Sequence, residues 1–222
     1  MQVAPLLHVG RGVTALIGGG GKTTLLYTLA DELRGKSSVI LCTSTHIRVP
    51  EQYPLVTGGA DALCEALHKH GVVCAGTPAE AGKLIAPPVS FAELASLADY
   101  VLVEADGAKG LPLKAHVGYE PVIPPNAQRV VLVVGADGFG KPISKVCHRS
   151  ERYAKLAGTA PDAVVTPELA ARVISAEGFG DRVFVNKVES AYNYGAAEDL
   201  TKYLSCPVVA GSLHREVYTC LR

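Results

Sequence analysis

The segment Gly18–Thr24, GGGGKTT, constrains the fold of this chain more than any other stretch. It follows the apolar run VTALI and precedes LLYTLADEL, whose leucines recur at helical spacing. A strand, a glycine loop, Lys-Thr and a helix, in this order, are typical of a phosphate-binding loop, in which backbone N–H groups and the helix N-terminus attract the anion. The segment is shorter than the full motif, since Leu16 stands where the first glycine would be.

This loop predicts a binding site for a nucleoside triphosphate. The Lys22 amine would reach the terminal phosphates, and the Thr23 hydroxyl would ligate Mg²⁺. We therefore assign nucleotide binding to the whole segment, namely Gly18, Gly19, Gly20, Gly21, Lys22, Thr23 and Thr24.

Aliphatic runs alternate with helical patterns along the chain. The runs are VTALI, SVILCTS, YVLVEAD, RVVLVVGAD, RVFVNKV and CPVVAGSL, and the helical patterns cover 22–34, 59–70, 148–157, 166–176 and 191–204. Such runs suit strands that are buried on both faces of a parallel sheet. The alternation predicts an α/β fold with a doubly wound, mainly parallel sheet and helices on both faces. Residues 72–88 predict a small antiparallel excursion, and residues 107–128 predict a long surface loop.

Length and charge limit the classes of protein. At 222 residues, the chain predicts a single domain over 1–222. Its formal net charge of zero argues against a nucleic-acid partner. We expect no signal peptide and no membrane span, since the N-terminus lacks a basic start and no apolar stretch is long enough. Scattered cysteines, without a C-x-x-C pair, favour a cytoplasmic protein.

Polar residues follow several of the predicted strands. Ligands of such sheets bind beyond the carboxyl ends of the strands. Glu104 and Asp106 follow YVLV, where a carboxylate holds Mg²⁺ or orients water, so we assign catalytic roles to Lys22, Glu104 and Asp106. Thr45 is a further candidate ligand, which gives a metal set of Thr23, Thr45 and Glu104. His46 is a candidate substrate contact, although a lone histidine is more often structural.

The segment Asn186–Glu189, NKVE, resembles the guanine-reading signature N-K-x-D, which follows a strand in GTP-binding proteins. Its terminal carboxylate would accept hydrogen bonds from guanine. The acid here is Glu, one methylene longer, so either GTP or ATP fits, with GTP slightly favoured. We assign base recognition to Asn186, Lys187 and Glu189, with an ordinary strand end as the alternative.

Three further cations lie in the predicted loop: Lys109, Lys114 and His116. They are candidates for holding an anionic substrate or a partner, because long loops are usually functional. The alternative is that they only solvate the loop.

Several segments in this order resemble the YqeC family of accessory proteins for selenium-dependent molybdenum hydroxylases: GGGGKTT, CTSTHI, VEADGAKGLPLKAH, YEPVIP, HRSERYAKLAG, VTPE and VNKVE. The resemblance covers roughly residues 10 to 212. It implies a P-loop NTPase-like fold and a role in maturing the cofactor of such a hydroxylase. By the same resemblance, the hydroxylase or its cofactor is a partner, and the protein forms a homodimer across its nucleotide sites.

Three functions fit these residues. The first is a slow Mg²⁺-dependent NTPase that acts as a maturation factor. The second is a Mur-like ligase or a kinase acting on a small anionic acceptor. The third is a nucleotide switch without catalysis.

Overall fold

The protein is described by a computed structural model that covers residues 2–222. These residues contain fourteen strands, which in chain order are β1 (Gly12–Gly18), β2 (Val39–Thr43), β3 (Ile47–Arg48), β4 (Leu55–Val56), β5 (Val72–Ala75), β6 (Thr77–Ala79), β7 (Lys83–Ile85), β8 (Tyr100–Glu104), β9 (Leu113–Lys114), β10 (Ala127–Gly135), β11 (Cys147–His148), β12 (Arg182–Asn186), β13 (Val208–Ser212) and β14 (Val217–Cys220). The helices are α1 (Val3–Leu6), α2 (Lys22–Leu33), α3 (Ala60–His70), α4 (Phe91–Leu97), α5 (Ile143–Val146), α6 (Ser150–Ala157), α7 (Pro167–Glu177) and α8 (Ala191–Thr201).

Nine strands form one sheet in the order β14-β13-β12-β10-β1-β8-β2-β5-β4. All neighbouring pairs are parallel except β13 and β14. β1 lies between β10 and β8, so the glycine loop that follows it emerges near the middle of the sheet. The predicted mainly parallel α/β sheet is therefore confirmed.

Helices cover both faces of this sheet. Leu16 of β1 points to the face covered by α1 and α2, whereas its neighbours Ala15 and Ile17 point to the opposite face. There, α6, α7 and α8 cover one half of the sheet, and α3 and α4 cover the other half. Because successive strand side chains alternate between faces, strands covered on both sides are apolar throughout. The doubly wound arrangement is confirmed.

Local sequence signals set the helix boundaries. The side chains of Ser90, Thr166 and Ser190 accept hydrogen bonds from backbone N–H groups in the first turns of α4, α7 and α8. The five predicted helices are present, and the largest boundary difference is at α8, which ends at Thr201. The pattern missed the three short helices α1, α4 and α5.

A small antiparallel sheet, in the order β3-β7-β6, stands beside the main one. Ile47 of β3 and Leu84 of β7 are buried in the same hydrophobic cluster as Leu25, Leu26 and Leu29 of α2. The antiparallel excursion predicted at 72–88 is thus confirmed, but its first strand, β5, belongs to the main sheet.

The segment predicted as a surface loop, 107–128, is only partly at the surface. Residues Leu113, Lys114, Ala115 and His116 are buried, and β9 within this segment pairs with β11, which lies further along the chain. The prolines, glycines and lysines of this segment predicted exposure. Lys114 and His116 are nevertheless buried, because Asp106 and Glu177 pair with them. Within residues 2–222, no helix combines the length and the apolar character needed to cross a membrane.

Candidate functional site

The glycine loop connects β1 directly to α2. Gly18, Gly20 and Gly21 have φ angles of 95°, 75° and 123°, a region that favours glycine. The first backbone hydrogen bond of α2 runs from Leu25 N–H to Gly21 O, at 3.0 Å. The N–H groups at the start of the helix precede this bond, and they are the donors that a helix N-terminus offers to an anion.

The glycines are packed tightly against neighbouring backbone. A Cβ atom would lie 2.4 Å from Val133 O at Gly18, and 2.3 Å from Gly135 N at Gly20. The N–H groups of Gly19 and Gly20 donate to Val133 O and Leu111 O, at 2.9 and 3.0 Å. In this conformation these two groups hold the loop in place, and the donors left for a phosphate come from the start of α2.

The Lys22 side chain turns back into the loop. Its Nζ donates to Gly18 O at 2.6 Å and lies 3.0 Å from Asp106 Oδ1. Glu104 Oε1 lies 4.0 Å from the same Nζ. A charged amine is therefore held at the N-terminus of α2, as a phosphate-binding lysine requires.

Thr23 contacts Glu104 directly. The Thr23 hydroxyl donates to Glu104 Oε2 at 2.7 Å, and both residues line one cavity. Burial raises the pKa of Glu104, and the charge of Lys22 and the Thr23 hydrogen bond offset this only in part. The positive charge near Glu104 therefore does not fully compensate for the burial of its carboxylate.

The residues predicted to bind Mg²⁺ fit that ion. A hydroxyl and a carboxylate are hard oxygen ligands of the kind that Mg²⁺ combines with substrate phosphates. Thr45 Oγ1 is buried and has no hydrogen-bond partner among residues 2–222, but Thr45 does not line the cavity, so its role as a ligand stays a prediction. The same residues contain no cluster of three His, Cys, Asp or Glu that would form an all-protein metal site.

Asp106 is fully buried and surrounded by donors. It accepts from Gly18 N–H at 2.8 Å and from His116 Nε2 at 2.6 Å, and Lys114 Nζ lies 3.2 Å away. Burial alone would raise the pKa of Asp106, but the His116 hydrogen bond and the charges of Lys22 and Lys114 outweigh it and hold the pKa well below its usual range. Asp106 therefore stabilises the glycine loop from the side of the protein interior, through Gly18 N–H and Lys22.

Lys114 and His116 are buried with Asp106. Lys114 also pairs with Glu120, and His116 donates from Nδ1 to Glu177 at 2.6 Å. Burial lowers the pKa of His116, but its hydrogen bonds to the two carboxylates outweigh this and raise the pKa. In this conformation neither side chain reaches the cavity, so their predicted contact with a substrate is not supported by their placement.

A cavity of about 610 Å³ opens beside the loop, which is within the size range of small-molecule sites. The lining includes Gly20–Thr24 on one side. His46 and Lys109, predicted as substrate contacts, also line it. Two further lining cations, Arg48 and Lys83, were missed, because nothing in the local sequence separates them from ordinary exposed residues of short strands.

The NKVE segment lies at the end of β12, close to the loop but outside the cavity lining. Asn186 Nδ2 donates to Gly20 O at 2.8 Å. Lys187 pairs with Asp137 at 2.9 Å, and the exposed Glu189 accepts from Ser212 Oγ at 2.8 Å. Asn186 supports the loop, and base recognition by this segment stays a prediction.

A family model described as "YqeC protein" matches residues 14–151. The YqeC protein of Escherichia coli (strain K12) is 29% identical over 218 residues, which covers 86% of this chain and 82% of that protein. The signal recognition particle 54 kDa protein of Aeropyrum pernix K1, solved in complex with GDP, aligns with 95% of this chain at a TM-score of 0.40 and 16% identity. The chain spans 44% of that solved chain.

Proposed function

Because the chain belongs to the YqeC family, we propose that it is a Mg²⁺-dependent nucleoside triphosphate-binding protein that hydrolyses its nucleotide slowly. One observation carries this proposal: Lys22 and Thr23 open α2 beside the Glu104 carboxylate, and all three line one cavity. The helix N-terminus and Lys22 would hold the phosphates. Thr23, Glu104 and Thr45 would hold Mg²⁺, which neutralises developing phosphate charge when bound.

The biological role within this proposal rests on the family. We propose that nucleotide turnover serves the maturation of a selenium-dependent molybdenum hydroxylase, with that enzyme or its cofactor as the partner. Pairing of two copies across their nucleotide sites belongs to the same proposal. Light scattering with and without Mg²⁺-nucleotide would test the pairing.

The test of nucleotide binding is calorimetric titration of the protein with Mg²⁺ and GTP or ATP. Lys22→Ala should weaken binding by about 10- to 150-fold, because a hydrogen bond to a charged group contributes roughly 1.5–3 kcal/mol. Lys36→Ala is the matched control, since this exposed lysine lies outside the cavity. Thermal unfolding of both variants shows whether they are folded. Equal affinities of folded Lys22→Ala and wild type would contradict the proposal.

A ligase or kinase reaction is the second candidate. The observation that favours it is that Arg48, Lys83 and Lys109 line the cavity in addition to Lys22. Strict dependence of phosphate release on an added acceptor would support it over simple hydrolysis. Tight nucleotide binding without turnover would instead support a switch.

A further inference from the structure

Three exposed cations form a wall of the cavity, here called the cation wall: Arg48, Lys83 and Lys109. Arg48 and Lys83 are paired across β3 and β7. Since Ile47 and Leu84 beside them point into the core, strand alternation directs Arg48 and Lys83 to the same outer face. The register of the small sheet therefore brings two positive charges together.

Lys109 is held close to the glycine loop. It lies in a turn closed by the hydrogen bond from Leu111 N–H to Ala108 O, at 3.0 Å. Leu111 O in turn accepts from Gly20 N–H at 3.0 Å, which fastens this turn to the loop. The third cation is therefore positioned by the phosphate site itself.

The cation wall has no internal counter-charge. Among residues 2–222, no carboxylate forms an ion pair with Arg48, Lys83 or Lys109. Like charges directly opposite on paired strands are destabilising, so this arrangement lowers stability unless an anion occupies it. The whole chain has a formal net charge of zero, so this local excess does not reflect a generally basic chain.

The nucleotide alone does not account for this wall. Its phosphates would be met by Lys22, by the N-terminus of α2 and by Mg²⁺. Among residues 2–222, Glu104 is the one carboxylate in the cavity lining, and it already faces Lys22 and Thr23. A cavity of about 610 Å³ lies within the size range of small-molecule sites.

We propose that the cation wall binds a second ligand, a small oxyanion carrying two negative charges, beside the terminal phosphate of the nucleotide. The ligand is a phosphate monoester or a dicarboxylate, since Arg48 offers a planar fork that fits either group. This inference rests on the proposed nucleotide binding and names the chemical class of acceptor or effector that the site would take.

The test uses the full chain saturated with Mg²⁺ and the β,γ-imido analogue of GTP or of ATP, whichever binds more tightly, titrated in a calorimeter with inorganic phosphate and, separately, with malonate. The double variant Arg48→Gln/Lys83→Gln should weaken binding of the preferred oxyanion at least tenfold. Its affinity for the nucleotide analogue should change less than threefold. The matched control is Lys36→Gln/Lys69→Gln, which removes two exposed cations outside the cavity.

Loss of oxyanion binding with retained nucleotide affinity supports the cation wall, and the better of the two probes identifies the source as phosphate or carboxylate. An equal loss of nucleotide affinity would show that the wall serves the nucleotide's own phosphates and would overturn the inference. Normal nucleotide binding without oxyanion binding would overturn it as well. Absence of nucleotide binding in wild type would overturn the proposed function instead.

Discussion

Glu104 and Asp106 lie close together in sequence, yet they occupy different surroundings. Glu104 lines the cavity and contacts Thr23, whereas Asp106 is enclosed behind the glycine loop by Lys22, Lys114 and His116. From the sequence, both lie at a strand end and both are predicted to be catalytic, with Glu104 alone of the two as a metal ligand. The enclosure of Asp106 away from the cavity could not be predicted, because it depends on which long-range partners surround each carboxylate.

We expect neutralisation of Glu104 to affect phosphate release and neutralisation of Asp106 to affect the free energy of unfolding. Glu104→Gln should keep the fold and bind nucleotide, but it should slow phosphate release at least tenfold, because the metal loses a charged oxygen ligand. Asp106→Asn should lower the free energy of unfolding by about 3–5 kcal/mol, because it removes a buried anion from its cationic partners. Single-turnover phosphate release and denaturant unfolding measure the two effects. Similar stabilities of the two variants would contradict this division of roles.

His116 predicts how stability changes with pH. Its pKa is raised above the ordinary value of 6.5 in the folded protein, so the folded state binds more protons than the unfolded state above that pH. This stabilisation is complete below pH 6.5 and is lost as pH rises through the raised pKa. His116→Gln should therefore lose most stability relative to wild type at mildly acidic pH, and the gap should narrow in alkaline solution.

Urea unfolding of wild type and His116→Gln across this pH range measures the gap. His70→Gln is the control, since His70 is exposed at the end of α3. A gap that stays constant with pH would mean that the His116 imidazole contributes only by packing.

At the scale of elements, apolar runs and helical spacing predicted the main sheet and its longer helices well. Each run is long enough to be buried on both faces, and each helix has its own periodic stripe. The burial of Lys114 and His116 could not be predicted, because a polar segment is buried only when distant charges such as Asp106 and Glu177 neutralise it. The cavity contacts of Arg48 and Lys83 depend on how the small sheet is placed against α2.

The end of β12 provides a test of base recognition. If Glu189 accepts from guanine, GTP should be preferred over ATP by roughly tenfold to a hundredfold, about 1.4–2.7 kcal/mol. Glu189→Ala should erase this preference by weakening GTP binding, because the variant lacks the carboxylate that would accept from guanine. The fold should persist, because water can replace the Ser212 contact of Glu189 at this exposed position. Competition between GTP and ATP measures this preference in wild type and in Glu189→Ala, with Glu198→Ala on α8 as the control. A preference for ATP in wild type would reduce NKVE to a strand end that supports Gly20.

At the scale of the whole molecule, the sheet brings residues from distant parts of the chain to one edge. Lys22 follows β1, Glu104 ends β8 and Asn186 ends β12, and all three meet around the glycine loop. The sequence indicated this convergence, because the carboxyl ends of parallel strands share one edge of a sheet. The order of the strands along that edge, with β10 between β1 and β12, required the structure.

The two elements on either side of the cavity, α2 and the small sheet, pack on the same hydrophobic core. Leu25, Leu26 and Leu29 of α2 and Ile47 and Leu84 of the small sheet belong to a single hydrophobic cluster, so the glycine loop and the strands that carry Arg48 and Lys83 cannot move apart without exposing that core. The cavity is therefore preorganised, and capture of nucleotide needs no opening step. In stopped-flow mixing, the observed association rate should rise linearly with nucleotide concentration, with a slope of roughly 10⁵–10⁷ M⁻¹s⁻¹. A rate that saturates at high concentration would reveal a slow rearrangement and would show that α2 and the small sheet move apart before nucleotide binds.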